Sequence, residues 1–180
     1  MKKKELIEFL KRNYSSFTAF TSSLSKEASE YSINKKWSAV MHLGHLVLSV
    51  KPLVYVFEME KHSIAEQYGT TNDPPRSYEF IKGFYFEKLK GGGKAPKRFI
   101  PTTESPYQTA ELCHGLNILV DQLSGLIERF SEEELDSLCV PHPLLGKLSL
   151  REMLYNAIYH AEHHQNLIVT MLDDESDINN

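Results

Sequence analysis

Cysteine is scarce in this chain: Cys113 and Cys139 are the only two in 180 residues. They are too far apart for a CxxC pair and too few for a disulfide framework, so both are expected as reduced thiols. Charge of one sign is also lacking. Lys and Arg number 20 against 24 for Asp and Glu, a net charge of −4, whereas nucleic-acid binding calls for basic residues massed on one face. No nucleic-acid partner is expected.

Long apolar runs are missing as well. The best stretch, Val40 to Phe57, is broken by His42, His45, Ser49, Lys51 and Pro52 and falls short of the ~18–20 uninterrupted apolar residues of a membrane span. The basic start Met1-Lys2-Lys3-Lys4 is followed by Glu5, Glu8 and Lys11, where a secretion signal would continue apolar. A cytoplasmic protein with no membrane partner is therefore expected. There is no internal repeat, no βαβ alternation and no glycine-rich phosphate loop. Hydrophobic residues at 41% and charged residues at 24% match globular averages. One domain spanning residues 1–180 is expected, with 173–180 as a frayed polar tail.

What the sequence does contain is helical periodicity. Leu6, Phe9, Leu10, Phe17, Phe20 and Leu24 share one arc of a first helix, and Glu8, Lys11, Arg12 and Glu27 lie mostly off it. A second helix is predicted from residue 37 or 38 to residue 62. It is apolar nearly all round and carries Pro52, which should kink it. A third, over 109–130, lines up Leu112, Leu116, Leu119, Leu123, Leu126, Ile127 and Phe130 opposite Asp121 and Glu128. The fourth, over 150–172, opens with Ser149 as N-cap and Glu152 three residues on, the spacing of a capping box.

Between the second and third helices, residues 69–106 carry Asp73-Pro74-Pro75, Gly91-Gly92-Gly93, Pro96, Pro101 and Pro106. A short helix over 78–89 fits inside this connection, the triple glycine reads as mobile, and a connection of such length usually lines or covers something. Ser131 followed by three glutamates predicts one further helical turn before Pro141. The expected class is all-α: a four-helix bundle with a long connection between helices 2 and 3.

Histidine is the unusual constituent. Eight occur, at 42, 45, 62, 114, 142, 160, 163 and 164. At about 100° per residue, His160 and His164 fall on the core-facing side of the fourth helix and His163 on its flank. Residues four apart stack one turn above the other, about 5–6 Å between Cβ atoms, so two imidazoles can share one metal ion. A single inward histidine is ordinarily a core residue with one hydrogen bond; two on one apolar face need more partners than a core supplies. Position 161 is Ala, so the H-E-x-x-H pattern of zinc proteases is absent. A third ligand must come from another helix, and spacing leaves both His42 and His45 as candidates.

Two blocks carry a resemblance. Lys36-Trp37-Ser38 with His45-Leu46 beyond it, and His142-Pro143-Leu144-Leu145-Gly146-Lys147-Leu148-Ser149 followed by His160-Ala161-Glu162-His163-His164-Gln165, resemble the DinB-like superfamily. The resemblance implies an up-down-down-up bundle, often a homodimer, and a divalent metal, zinc or nickel foremost, held by one histidine of helix 2 and two of helix 4. By position these are His45, His160 and His164. His42 stays as the reserve ligand, His163 as a flanking residue, His142 as part of a structural turn, His114 as solvated, His62 as the end of helix 2, and Trp37 as an anchor for its start.

Three imidazoles leave an open position on a divalent ion, as catalytic sites do. The resemblance implies either transfer of a low-molecular-weight thiol of the bacillithiol or mycothiol type onto a small-molecule electrophile, or metal-dependent hydrolysis. The alternative is a non-catalytic metal-binding or dimerisation module. No general base is assigned: Glu58, Glu60 and Glu162 read as solvated helix residues. Lys94, Lys97 and Arg98 read first as solvated surface, with an anionic thiol as their other use, and Tyr14, Tyr55, Tyr78 and Tyr107 are open between packing and substrate contact.

Overall fold

The computed structural model describes residues 1–34, 36–102 and 108–178, with side chains described as far as residue 173. In chain order the elements are helices α1 (Lys3–Ser23), α2 (Lys26–Glu30), α3 (Ala39–Glu58), α4 (Lys61–Tyr68) and α5 (Tyr78–Lys90), a 3-10 turn at Lys97–Phe99, α6 (Thr109–Ile127) and α7 (Glu132–Ser137), the strands β1 (Cys139–His142) and β2 (Gly146–Ser149), and α8 (Leu150–Ile178).

Four long helices form the bundle, and their buried residues follow the helical repeat. In α1 these are Leu6, Leu10, Tyr14, Phe17 and Thr21; in α6, Cys113, Leu116, Val120, Leu123 and Ile127. Polar contacts fix the directions. Asn13 donates to the Ile158 carbonyl at 3.1 Å and Ser16 meets Gln165 at 3.3 Å, so α1 runs parallel to α8. Lys11 pairs with Asp121 and Thr18 with Asn117, so α6 runs antiparallel to α1. Glu58 at the end of α3 accepts from Gln122 near the end of α6, so those two are parallel. The order is up, down, down, up. Helix α3 packs closely on α6, α6 on α1 and α1 on α8, but α3 meets α8 only sparsely. That looser seam is where the histidines lie.

Helix α3 has the length and apolarity of a membrane span, with a mean hydropathy of 1.5 in its most apolar window, half of which is buried inside the bundle. Its Ser38 cap accepts from the Met41 amide at 3.4 Å. The predicted second helix is one element too long: α3 stops at Glu58, Met59 turns the chain, and His62 lies in the first turn of α4 instead of closing α3. No Pro or Gly stands between residues 53 and 62 to mark the break, which is why the predicted helix ran through it. The last helix continues beyond residue 172 to Ile178, and residues 179–180 of the expected frayed tail lie outside the described residues, as do Pro106 and Tyr107.

The all-α expectation needs a small correction. Strands β1 and β2 pair antiparallel, Cys139 with Ser149 through His142 with Gly146. Four residues a side are too few to announce a period of two, and Pro141 argues against a strand unless it is an edge. Gly146 closes the turn at φ 76°, a conformation that favours glycine. The short α2 was likewise not anticipated, whereas α5 and α7 stand where the sequence placed them. The triple glycine ends α5: the Gly93 amide donates to the Lys88 carbonyl at 2.9 Å, and a Cβ on Gly93 would sit 2.7 Å from that oxygen.

The capping box of α8 forms as predicted. Ser149 Oγ accepts from the Glu152 amide at 3.2 Å, and Glu152 accepts from the Ser149 amide at 3.0 Å. Glu152 also holds the long connection, taking two side-chain hydrogen bonds from Arg76 at 2.7 Å each. Burial alone would raise its carboxyl pKa; the bonds from Arg76 and Ser149 outweigh it and leave the pKa below the ordinary value. Its stabilisation is therefore present above the unfolded pKa of about 4.3 and is lost as pH falls through the folded value. Thermal midpoints of wild type and Glu152→Gln are expected to differ most at pH 7 and to converge as the pH falls through the folded carboxyl's titration. A constant gap would show that the carboxylate charge is not what stabilises.

Candidate metal centre

His42 and His45, one turn apart on α3, face His160 and His164, one turn apart on α8, across the loose seam. All four side chains are buried. His160 Nε2 lies 3.2 Å from His45 Nε2 and 2.9 Å from His164 Nε2, and ring nitrogens of these three converge within 4.8 Å of one another. The structure thus brings together the three histidines that the sequence picked out. The fourth, His42, stands behind them: its Nδ1 is 2.7 Å from His164 Nδ1.

Protons on this cluster can be followed. His45 Nδ1 is 2.7 Å from the Phe99 carbonyl oxygen, which can only accept, so the proton is on Nδ1 and Nε2 presents a bare lone pair to the cluster. Burial, most of all, holds the imidazoles in the neutral form. It pushes His42 down to about 3, outweighs the Phe99 bond in lowering His45, and together with the neighbouring rings carries His160 and His164 well below the ordinary histidine value. Neutral imidazole has one N–H, so a proton on His160 Nε2 can serve one of its two neighbours. A cation accepts lone pairs from all three. The donor set therefore fits a divalent metal better than it fits a hydrogen-bonded core, and the Phe99 carbonyl is the kind of outer partner that fixes the tautomer of a ligating histidine.

The triad lines a cavity of about 720 Å³ whose wall is mainly apolar, including Leu53, Val56, Phe99, Met153 and Met171. Trp37 covers one side, its ring 5.0 Å from that of His45 and stacked at 6.4 Å on that of His164. Sequence reasoning had given Trp37 only the start of helix 2, although it stood in the block that carried the resemblance. His163 and Tyr85 also line the cavity, their rings 5.9 Å apart. The long connection does cover the site, as its length suggested: Lys94 and Arg98 stand exposed on the cavity border, and Phe99 beside them binds His45.

The other expectations sort as follows. Tyr14 lines the cavity and is buried, while Tyr55 is 62% exposed and away from it. Tyr78 packs edge-on against Tyr155 and does not border the cavity, and neither does Lys97. His62 and His114 are exposed. Glu58 accepts from Gln122, Glu60 precedes α4 and accepts through its backbone carbonyl from the Ile64 amide, and Glu162 pairs with Lys82. Among the described residues no carboxylate lines the cavity. His142 has a structural task in the hairpin turn, its Nδ1 lying 3.1 Å from the amides of both Leu144 and Leu145.

The DinB superfamily model matches residues 10–168, nearly the whole chain and all of the triad, so the chain belongs to the DinB superfamily. No curated protein matches it in sequence.

Proposed function

We propose that this DinB-superfamily protein is a metal-dependent enzyme acting on a small molecule in the cavity, with His45, His160 and His164 as the metal ligands. Transfer of a low-molecular-weight thiol onto an electrophile is the leading reaction. The observation that carries the reading is the convergence of three neutral imidazoles on the floor of a mainly apolar cavity. Zinc or nickel suits three nitrogen donors. Such an ion would supply Lewis acidity, favouring the thiolate form of an incoming thiol or polarising a carbonyl towards attack.

The chain's own residues do the rest. Phe99 and His42 orient His45 and His164, Trp37 and the apolar wall exclude water, and Lys94 and Arg98 offer positive charge on the border to an anionic thiol. In the transfer the thiol loses its proton to solvent, sulfur bonds to the electrophilic carbon, and the leaving group departs with the bonding pair. The border cations Lys94 and Arg98, placed to meet an anionic thiol, favour thiol transfer over hydrolysis.

The zinc-loaded protein is expected to consume 1-chloro-2,4-dinitrobenzene in the presence of a low-molecular-weight thiol, and the His160→Ala/His164→Ala double variant not to. Thiol-independent cleavage of p-nitrophenyl acetate would move the reading to hydrolysis. Full zinc occupancy with neither activity would leave a non-catalytic metal-binding module.

His42 provides a separate check. His42 Nδ1 lies 2.7 Å from His164 Nδ1, while His164 Nε2 faces His160; a proton held between the two Nδ1 atoms on the His164 side would leave His164 Nε2 bare for the metal and make His42 a partner of a ligand. His42→Ala is expected to weaken zinc binding about 10–100-fold in competition with a chromophoric chelator, the usual cost of losing such a partner. Unchanged affinity would remove His42 from the site.

A further inference from the structure

Asn156 stands one turn of α8 before His160, which stands one turn before His164, so the three form a column on the face that lines the cavity. Asn156 is only 5% exposed. Its Nδ2 is the one buried side-chain nitrogen or oxygen, among the described residues, that has no hydrogen-bond partner. A buried donor left unpaired is costly; at a cavity wall, a ligand can relieve that cost.

The direction of the amide is set by the hairpin. Two backbone N–H groups, from Leu144 and Leu145, point at His142 Nδ1 at 3.1 Å, so that nitrogen is bare. Burial keeps His142 neutral, which leaves its proton on Nε2, and its bond to Asn156 therefore runs from Nε2–H to Oδ1. With Oδ1 taken, the NH2 group is the part of Asn156 left without a partner, on a residue that lines the cavity; turned over, the amide would set two donors face to face. The turn residues thus position His142, and His142 positions Asn156.

We propose that Asn156 Nδ2 is a substrate-binding donor that receives an acceptor oxygen of carbonyl type, making the preferred substrates largely apolar, uncharged carbonyl compounds; the proposal rests on the reading of the cavity as a small-molecule site. An uncharged acceptor matches the surroundings. Met153, Ala157, Val140 and Leu144 line the cavity with Asn156, and burying an anion among them would cost far more than burying a carbonyl. The cations of the border, Lys94 and Arg98, belong to the exposed connection.

The test compares acetophenone with ethylbenzene, two probes of nearly equal shape of which only the first has an oxygen. Binding to the zinc-loaded wild type and to Asn156→Leu is measured by calorimetry, with zinc content checked in both. The ratio of acetophenone to ethylbenzene affinity is expected to be about tenfold higher in the wild type than in Asn156→Leu, the worth of one hydrogen bond; comparing the ratio between the two proteins cancels the cost of taking the ketone out of water. In the wild type, which needs no substitution, the Asn156 side-chain NH2 resonances are expected to move on adding acetophenone and to stay in place with ethylbenzene. An affinity ratio that is the same in both proteins, no binding of acetophenone by the wild type, or unmoved NH2 resonances would overturn the proposal. Zinc content is read separately, so absence of zinc from the wild type would defeat the metal reading without touching the ketone comparison.

Discussion

Zinc is expected to raise the thermal midpoint of the wild type by about 10 °C and to leave that of the His160→Ala/His164→Ala double variant unchanged. A ligand that binds only the folded state stabilises it by about 4 kcal/mol at a thousand times its dissociation constant, and each kcal/mol moves the midpoint of a chain of this size by about 2–4 °C. The effect should be large here because the site is assembled by folding: His45 is on α3, while His160 and His164 are on α8, and an unfolded chain holds them far apart. The measurement is a circular-dichroism melt of each protein with zinc and with a chelator. A zinc-dependent rise of equal size in the double variant would place the ion elsewhere on the chain.

Arg151→Met is expected to cost about 3 kcal/mol of stability and to lower the midpoint by about 10 °C. Most ion pairs of this protein are on the surface and are worth little, such as Lys4 with Glu8. Arg151 differs because it is 4% exposed and ties three parts of the chain together. It donates to the Met1 carbonyl at 2.7 Å, to the Glu132 carbonyl at 3.1 Å and carboxylate at 2.6 Å, and to the Asp136 carboxylate. Methionine fills similar volume and returns none of these bonds, leaving two carbonyls and two carboxylates short of a donor. Denaturant unfolding reads the loss directly; a change below about 0.5 kcal/mol, the range of an ordinary surface substitution, would mean that water replaces the guanidinium without cost.

The bundle was legible because its core residues repeat at the helical period, and a repeat is visible in one dimension. Leu116, Leu123 and Ile127 on α6, or Leu6, Leu10 and Phe17 on α1, announce their face without any knowledge of the partner. The same wheel turned His160 and His164 inward. It could not choose between His42 and His45, because α3 is apolar all round and offers no reference face; there the family resemblance supplied His45, and the structure sets its ring nitrogen beside those of His160 and His164. What escaped is what depends on contacts between distant segments. The Phe99 carbonyl that fixes His45 is a backbone group, the same in every residue type, and nothing in the sequence marks it. Trp37, Tyr85 and Asn156 reach the cavity from three separate parts of the chain, and Asn156 is noticeable only once its amide is seen to lack a partner. The break between α3 and α4 and the short hairpin were lost for local reasons: no Pro or Gly marks the break, and strands of four residues are too short to show a period of two.

Metal content decides the central claim most directly. The protein is purified without a metal-affinity tag, incubated with zinc, desalted and analysed for metal beside the His45→Ala variant. One zinc per chain in the wild type and nearly none in the variant is the predicted result. A wild type that holds neither zinc nor nickel, or a variant that keeps its zinc, would contradict the three-histidine site.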